Sequence, residues 1–192
     1  MDMNKGYVKP TIALTLIALV AAVLMAVVNG ITAPVIAART EQELSAQRQE
    51  VMAEATEFEE LTDSSVVAGR EDIEACYVAL NNGEPIGYVF NVTTNGFGGP
   101  MSVTVGVSND LTVTGLRIGE HSETAGLGSK AGEPKFYEQF AGLSGDPAMT
   151  VNEDGAPNNI DGITSATITS RAVTAAAQSA CDAAAELVGE GA

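Results

Sequence analysis

The chain reads as an α+β fold: one membrane helix in front, then a single exported domain with a mostly antiparallel sheet packed by helices. Three observations predict it. The run from Ile12 to Val28 carries no charge, and only Thr15 in it is polar. From Ala75 to Ile118 apolar and polar residues alternate with period two, the mark of half-buried strands. From Thr169 to Val188 the chain is dense in alanine with no internal Gly or Pro, which is a helix composition. The boundaries follow as 1–37 for the cytoplasmic N-terminus and anchor, 38–68 for a juxtamembrane helix and linker, and 69–192 for the domain.

The anchor comes first. Its 17 uncharged residues span roughly 25 Å as helix, and flanking apolar residues on both sides make up the thickness of a bilayer core. Lys5 and Lys9 precede it, so the N-terminus is expected in the cytoplasm and everything after Ala37 on the other side. The apolar core is longer than the ~7–15 residues of a signal peptide, so the helix is expected to stay attached. Thr40 to Leu61 then reads as a helix leaving the membrane. It lacks Gly and Pro and sets Leu44, Val51, Ala55 and Phe58 on one face, which is expected to pack on its own domain.

Strands follow. ACYVAL and IGYVFNVT flank an Asn-Gly turn and form a hairpin. In MSVTVGVS, Met101, Val103, Val105 and Val107 share a face. LTVTGLRI slips phase at Gly115, which predicts a bulge. Four strands in sequence make an antiparallel sheet with one buried face. A glycine-rich loop over 119–132, a short helix over PKFYEQFAGL, a polar Pro/Asn/Gly loop and the alanine-rich helix complete the order.

Composition excludes several functions. There are 25 acidic and 9 basic residues, for a net charge of −16. Past Ala37, seven basic residues stand against 24 acidic ones, about −17, so nucleic acid is not an expected partner. One histidine and two distant cysteines, Cys76 and Cys181, give no metal-ligand spacing. Outside the membrane those cysteines either pair or stay as two small buried thiols. No dinucleotide fingerprint is present.

Three stretches break the structural pattern. NGFGGPM, Asn95 to Met101, puts Gly96, Gly98 and Gly99 around one aromatic and allows close approach to a flat ligand, or serves as a plain strand connection. EHSETAGLG, Glu120 to Gly128, holds the only histidine beside Glu123, an acid–base pair in form, with no nucleophile or metal partner visible. DGITSATITS, Asp161 to Ser170, crowds five hydroxyls into seven residues ahead of a helix. A cap accounts for one or two, with Thr169 or Ser170 as the N-cap. A helix start is also an anion site, so a phosphate-bearing ligand fits here, without singling out one hydroxyl.

DGITSATITS resembles the flavinylation motif D-x-x-[ST]-[SG]-A-T-x-[ST] of FMN-binding domains in the Rnf and Nqr electron-transport complexes. GFGGPMSVTVGVS and ETAGLG stand upstream in that family's order, and the N-terminal anchor matches too. The resemblance spans roughly Gly83 to Ala175, and the chain's length is similar to that of the RnfG proteins, the NqrC proteins being longer. It implies that a flavin transferase moves FMN from FAD onto the threonine of the A-T pair, here Thr167, as a phosphoester. By position, Asp161 matches the motif's acid, Thr164 its first hydroxyl, Ser165 the small residue, Ala166 the alanine and Thr169 the trailing hydroxyl. Glu123, Thr124, Gly126, Leu127 and Gly128 match the loop near the flavin, and Gly98 and Gly99 the upstream glycines. Ala125 stands where that family often has proline. The implied role is an electron relay among the membrane subunits of a ferredoxin:NAD+ oxidoreductase that translocates Na+ or H+, with no catalytic residue of its own. The alternatives are an NqrC-like or other FMN carrier feeding a different reductase, and a non-redox anchored scaffold. A pilin-like scaffold needs a processing site before the helix and an early glutamate, and has neither here.

Overall fold

The computed structural model describes residues 5–62 and 65–190, so the start of the expected cytoplasmic segment, residues 1–4, lies outside the described residues. By internal contacts the chain separates into one unit up to Glu43 and a second from Leu44 onward. Helix α1 (Lys5–Val51) supplies all of the first that is described. Its residues from Ile12 to Ile36 hold their apolar side chains half to two-thirds exposed. Among the described residues this is the one helix long and apolar enough to cross a membrane. Thr15 and Thr32 donate their hydroxyls to the carbonyls four residues back, at 2.9 and 2.8 Å, which removes two polar groups from an apolar surface.

The second unit is a five-stranded antiparallel meander in the order β1 (Glu57–Glu60), β2 (Ile73–Asn81), β3 (Glu84–Asn95), β4 (Pro100–Ser108) and β5 (Val113–His121). A one-turn helix, α2 (Ser65–Ala68), lies between β1 and β2. Asn82 and Gly83 turn the β2–β3 hairpin with positive φ of 52° and 86°, as an Asn-Gly pair in a two-residue loop requires. The bulge falls where the phase slips: Gly106 faces Gly115 while the next residue of β4, Val107, faces Val113, leaving Thr114 extra. After β5 come a 3-10 turn (Gly128–Gly132), helix α3 (Pro134–Tyr137) running into a second 3-10 turn, the two-residue parallel strands β6 (Thr150–Val151) and β7 (Asn159–Ile160), and helix α4 (Thr167–Glu190).

Two expectations are corrected here. The helix expected over 40–61 ends at Val51, and Glu57–Glu60 joins the sheet as an edge strand against β2. The sheet is also buried on both faces, not one. Phe90, Met101, Val103, Val105 and Val107 pack with α4, while Val89 and Ala79 on the opposite face pack with Val51 at the end of α1 and with Met52 and Ala55 just past it. The paired glycines explain how the second layer fits. A Cβ on Gly106 would lie 2.7 Å from the Val51 carbonyl oxygen, and one on Gly115 would lie 3.0 Å from the Val51 Cα. Thr114 donates its hydroxyl to the same carbonyl, and Thr104, buried mid-sheet, donates to Gln47 at 2.9 Å. The end of α1 is thus hydrogen-bonded into the domain it was expected to pack on.

The buried face of α4 is mostly alanine, with Ala172, Ala176, Ala177, Ala180, Ala183 and Ala184 beside the larger Val173, Cys181 and Leu187. Small side chains let the helix axis approach the strands closely. Cys76 and Cys181 sit in this core as free thiols. Burial pushes each from 9.0 up to about 12, and the Asp182 charge adds to the rise at Cys181. We expect neither to react with iodoacetamide at pH 8 while the chain is folded and both to react in denaturant. Because the folded chain keeps these protons where the unfolded chain loses them, their contribution is intact below pH 9 and declines as pH rises from 9 toward 12. Denaturant midpoints measured across that range check the sign.

Candidate functional site

The first three residues of the segment 161–170 are each held through the backbone N–H, and Ala166 and Ser170 are held the same way further on. The Asp161 N–H donates to Gln139 Oε1 at 2.8 Å, and Gln139 Nε2 donates back to the Asp161 carbonyl at 3.3 Å. Gly162 donates to Asn152 Oδ1 at 2.8 Å, Ile163 to Ser170 Oγ at 2.9 Å, and Ala166 to the Ile163 carbonyl at 2.9 Å. Such anchoring lets a tight turn keep one shape outside a helix or strand. Ser165 takes φ of 65°, a left-handed conformation tolerated best by small residues, and reverses the chain into α4.

The five hydroxyls consequently separate. Ser170 is buried, accepting from Ile163 and donating to the Ala166 carbonyl at 3.0 Å. Thr169 is buried and donates to Glu123 at 2.8 Å. Neither is the N-cap: α4 starts at Thr167, and its first helical bond runs from the Ser170 N–H to the Ala166 carbonyl. The N–H groups of Thr167, Ile168 and Thr169 therefore have no partner within the helix. Thr164, Ser165 and Thr167 are at least partly exposed, with no side-chain hydrogen bond among the described residues. Of these three, Ser165 and Thr167 line a groove of about 360 Å³, within the usual range for small-molecule sites.

Glu123 organises that groove. One carboxylate oxygen accepts the Gly98 N–H at 3.0 Å, and the other accepts the Thr169 hydroxyl. One side chain so joins all three unusual stretches. The glycines around it leave it room. A Cβ on Gly96 would meet Glu123 Oε1 at 2.1 Å, one on Gly128 would meet Oε2 at 2.0 Å, and one on Gly98 would meet the Ser122 carbonyl oxygen at 2.1 Å. His121 is not its acid–base partner. The imidazole Nδ1 accepts the Glu123 backbone N–H at 3.3 Å, and the carboxylate is engaged elsewhere.

Eight of the residues expected from the sequence line the groove: Glu123, Thr124, Leu127, Gly128, Ser165, Ala166, Thr167 and Thr169. Five do not. Gly98 and Gly99 form the turn behind it, closed by the Gly96 N–H to the Gly99 carbonyl at 2.9 Å. Gly126 sits at φ 75° in the next turn, its N–H on Ser129 Oγ. Asp161 and Thr164 face a second, more polar groove with Lys130, Lys135 and Gln139. Phe97 and Ile168 line the main groove and were missed. Their signal was present, since each is a large apolar residue set among glycines or hydroxyls.

Exposure makes the chemistry specific. Outside α1, the large apolar side chains left exposed among the described residues are Phe97 at 69%, Leu127 at 40% and Ile168 at 56%, and all three line this groove. An apolar lining beside a free hydroxyl and three helix N–H groups without helical partners suits a molecule with a flat apolar body and a phosphate at one end. No cluster of ligating side chains that could hold a metal occurs among the described residues.

Comparison with known proteins adds the family. The family model described as FMN-binding domain matches residues 96–182, and that described as RnfG N-terminal region matches residues 3–51. The chain is 35% identical over 174 residues to the G subunit of the Na+-translocating ferredoxin:NAD+ oxidoreductase complex of Acetobacterium woodii, covering 84% of this chain and 83% of that one. It is 33% identical over 186 residues to the G subunit of the ion-translocating oxidoreductase complex of Methanosarcina acetivorans, covering 95% and 96%. Among solved structures, it aligns with the C subunit of the Na+-translocating NADH-quinone reductase from Parabacteroides distasonis at a TM-score of 0.55 and 21% identity, over 77% of this chain and 83% of that one. This last likeness concerns the fold.

Proposed function

The chain belongs to the RnfG family of ion-translocating oxidoreductase complexes, and we propose that it serves there as an electron relay carrying FMN covalently on Thr167. The observation that carries the proposal is the coincidence of the three exposed apolar side chains with the free Thr167 hydroxyl at the start of α4. FMN supplies a ring that takes up and releases electrons without any protein group changing its bonding. The chain's own residues hold that ring and its phosphate. Phe97, Leu127 and Ile168 offer apolar contact, and the first-turn N–H groups of α4 offer donors to phosphate oxygens.

Attachment asks little of the chain besides presentation. A flavin transferase breaks the anhydride bond of FAD, the Thr167 oxygen takes the FMN phosphorus, and AMP leaves. Thr167 is exposed and free of competing hydrogen bonds, as a nucleophile presented to another enzyme must be. Asp161 and Thr164, in the second groove on the other side of the same segment, remain reachable by that enzyme when flavin fills the first. Gly98, Gly99 and Gly126 act at one remove, by shaping the turns that bring Phe97, Glu123 and Leu127 to the groove. A covalent tether suits a site on the extracytoplasmic side of the membrane, where lost FMN has no pool to replace it.

The partners follow from the same reading: the other membrane subunits of the complex, which translocates Na+ or H+, and the transferase during maturation. The test uses the full-length chain expressed with a flavin transferase. After denaturation and gel filtration, flavin fluorescence is expected to travel with the protein, whose mass exceeds the sequence mass by one FMN less water. A peptide containing Thr167 should carry the whole increment. Flavin released on denaturation would overturn the covalent reading.

A further inference from the structure

Glu123 is a clamp by geometry, but its position gives it a second consequence. It is the one ionisable residue among those lining the groove; the others are Phe97, Thr124, Leu127, Gly128 and the small or apolar residues of 165–169. Its two hydrogen bonds come from neutral donors, the Gly98 N–H and the Thr169 hydroxyl. They orient the carboxylate without cancelling its charge. No lysine, arginine or histidine lines the groove among the described residues, and His121 turns its Nδ1 to the backbone. The wall beside any bound ring therefore carries one fixed negative charge in largely apolar surroundings, where Coulomb interaction is stronger than in water.

We infer that Glu123 sets the redox potential of the bound isoalloxazine, its carboxylate disfavouring the reduced ring. This rests on the FMN reading above. Reduction adds electrons from the preceding carrier to the ring and makes or breaks no bond to the protein. To the extent that proton uptake does not match those electrons, the ring gains negative charge beside a negative wall. The acidic surface as a whole acts weakly by comparison. Charges more than about 8 Å away through solvent are screened at physiological ionic strength, whereas Glu123 lines the groove itself. The helix start would oppose this effect, but in the proposed site its N–H groups are committed to the phosphate.

The experiment is a dithionite titration of the flavin-loaded full chain with redox dyes as potential references, on the wild type, E123Q and T124E. Glu123→Gln removes the charge while keeping shape, and is expected to raise the ratio of reduced to oxidised flavin about tenfold at a given potential, or ~59 mV for a one-electron couple. Thr124→Glu adds a second carboxylate at an exposed groove residue and leaves the clamp intact, and should lower the ratio several-fold. A structural role for Glu123 alone predicts no definite sign in E123Q, while T124E measures how strongly a carboxylate on this wall acts on the ring. An unchanged or lowered potential in E123Q, or an unchanged or raised one in T124E, would overturn the inference. Covalent attachment is read separately, by mass on the denatured chain, and the titration works equally on flavin held without a covalent bond.

Discussion

The T167A chain is expected to carry no covalent flavin and to melt within about 2 °C of the wild type. Both halves follow from where Thr167 sits. Its side chain is exposed at the first position of α4 and makes no hydrogen bond among the described residues, so folding loses nothing specific when the hydroxyl goes. Surface substitutions of this kind stay within about ±0.5 kcal/mol, and alanine is a good helix former. The phosphoester has no substitute. Thr169 and Ser170 are buried and already bonded, so neither takes over as nucleophile. Thr164→Ala and Ser165→Ala are the matched controls, each deleting a free hydroxyl from the same turn, and both should retain covalent flavin. Mass spectrometry of the denatured proteins reads the outcome. Full flavin mass on T167A would place the attachment elsewhere, and Ser165 and Thr124, the other free hydroxyls on the groove, would be the first residues to examine.

Local chemistry by itself did not distinguish these hydroxyls, and the reason is physical. Whether a threonine is free or engaged depends on partners far away in sequence: Glu123 is 46 residues from Thr169, and Gln139 is 22 from Asp161. The period of a strand and the φ demanded by an Asn-Gly turn are local, and those elements were legible. So was the bulge, because a phase slip is written into the alternation itself. Edge strand β1 was not. Its residues, Glu57 to Glu60, have helix-forming composition and become a strand because β2 offers a ladder to pair with, a tertiary influence that propensity does not carry. The second buried face was hidden for a related reason. Thr104, Gly106 and Thr114 look solvent-facing by pattern, yet they receive the end of α1 through hydrogen bonds and missing side chains. At the site, the motifs indicated which segments converge but not what joins them. The glycines look like ligand contacts in sequence, and in the fold several of them make space for a glutamate.

That distinction leads to a second large effect, which separates glycines held by backbone from glycines held by one side chain. In G98A the new Cβ would lie 2.1 Å from the Ser122 carbonyl oxygen and 2.9 Å from the Glu123 nitrogen, both main-chain atoms. Main chain in a paired loop cannot step aside, so the turn bearing Phe97 must separate from the 122–123 segment, and the hydrogen bond from Gly98 to Glu123 breaks with it. We expect a loss of about 3 kcal/mol, at the upper end for overpacking. For a unit of this size that is roughly 6–12 °C in melting temperature, accompanied by a lower yield of flavin attachment. In G128A the obstacle is the far end of a side chain, Glu123 Oε2 at 2.0 Å. Its cost should be about 2 kcal/mol in the wild type and should fall by about half or more in an E123A background, where only the Thr169 Oγ1, 2.9 Å away, still crowds the new Cβ. Gly98→Ala should remain costly in the same background, because Ser122 is still there. A double-mutant cycle over thermal melts measures both, with a coupling of about 1–2 kcal/mol expected for the 123–128 pair, and at 98 a coupling only from the lost Gly98–Glu123 hydrogen bond, the Ser122 clash contributing none. Equal penalties for G128A with and without Glu123 would mean that the carboxylate does not occupy the space the glycine leaves, and the clamp would have to be abandoned.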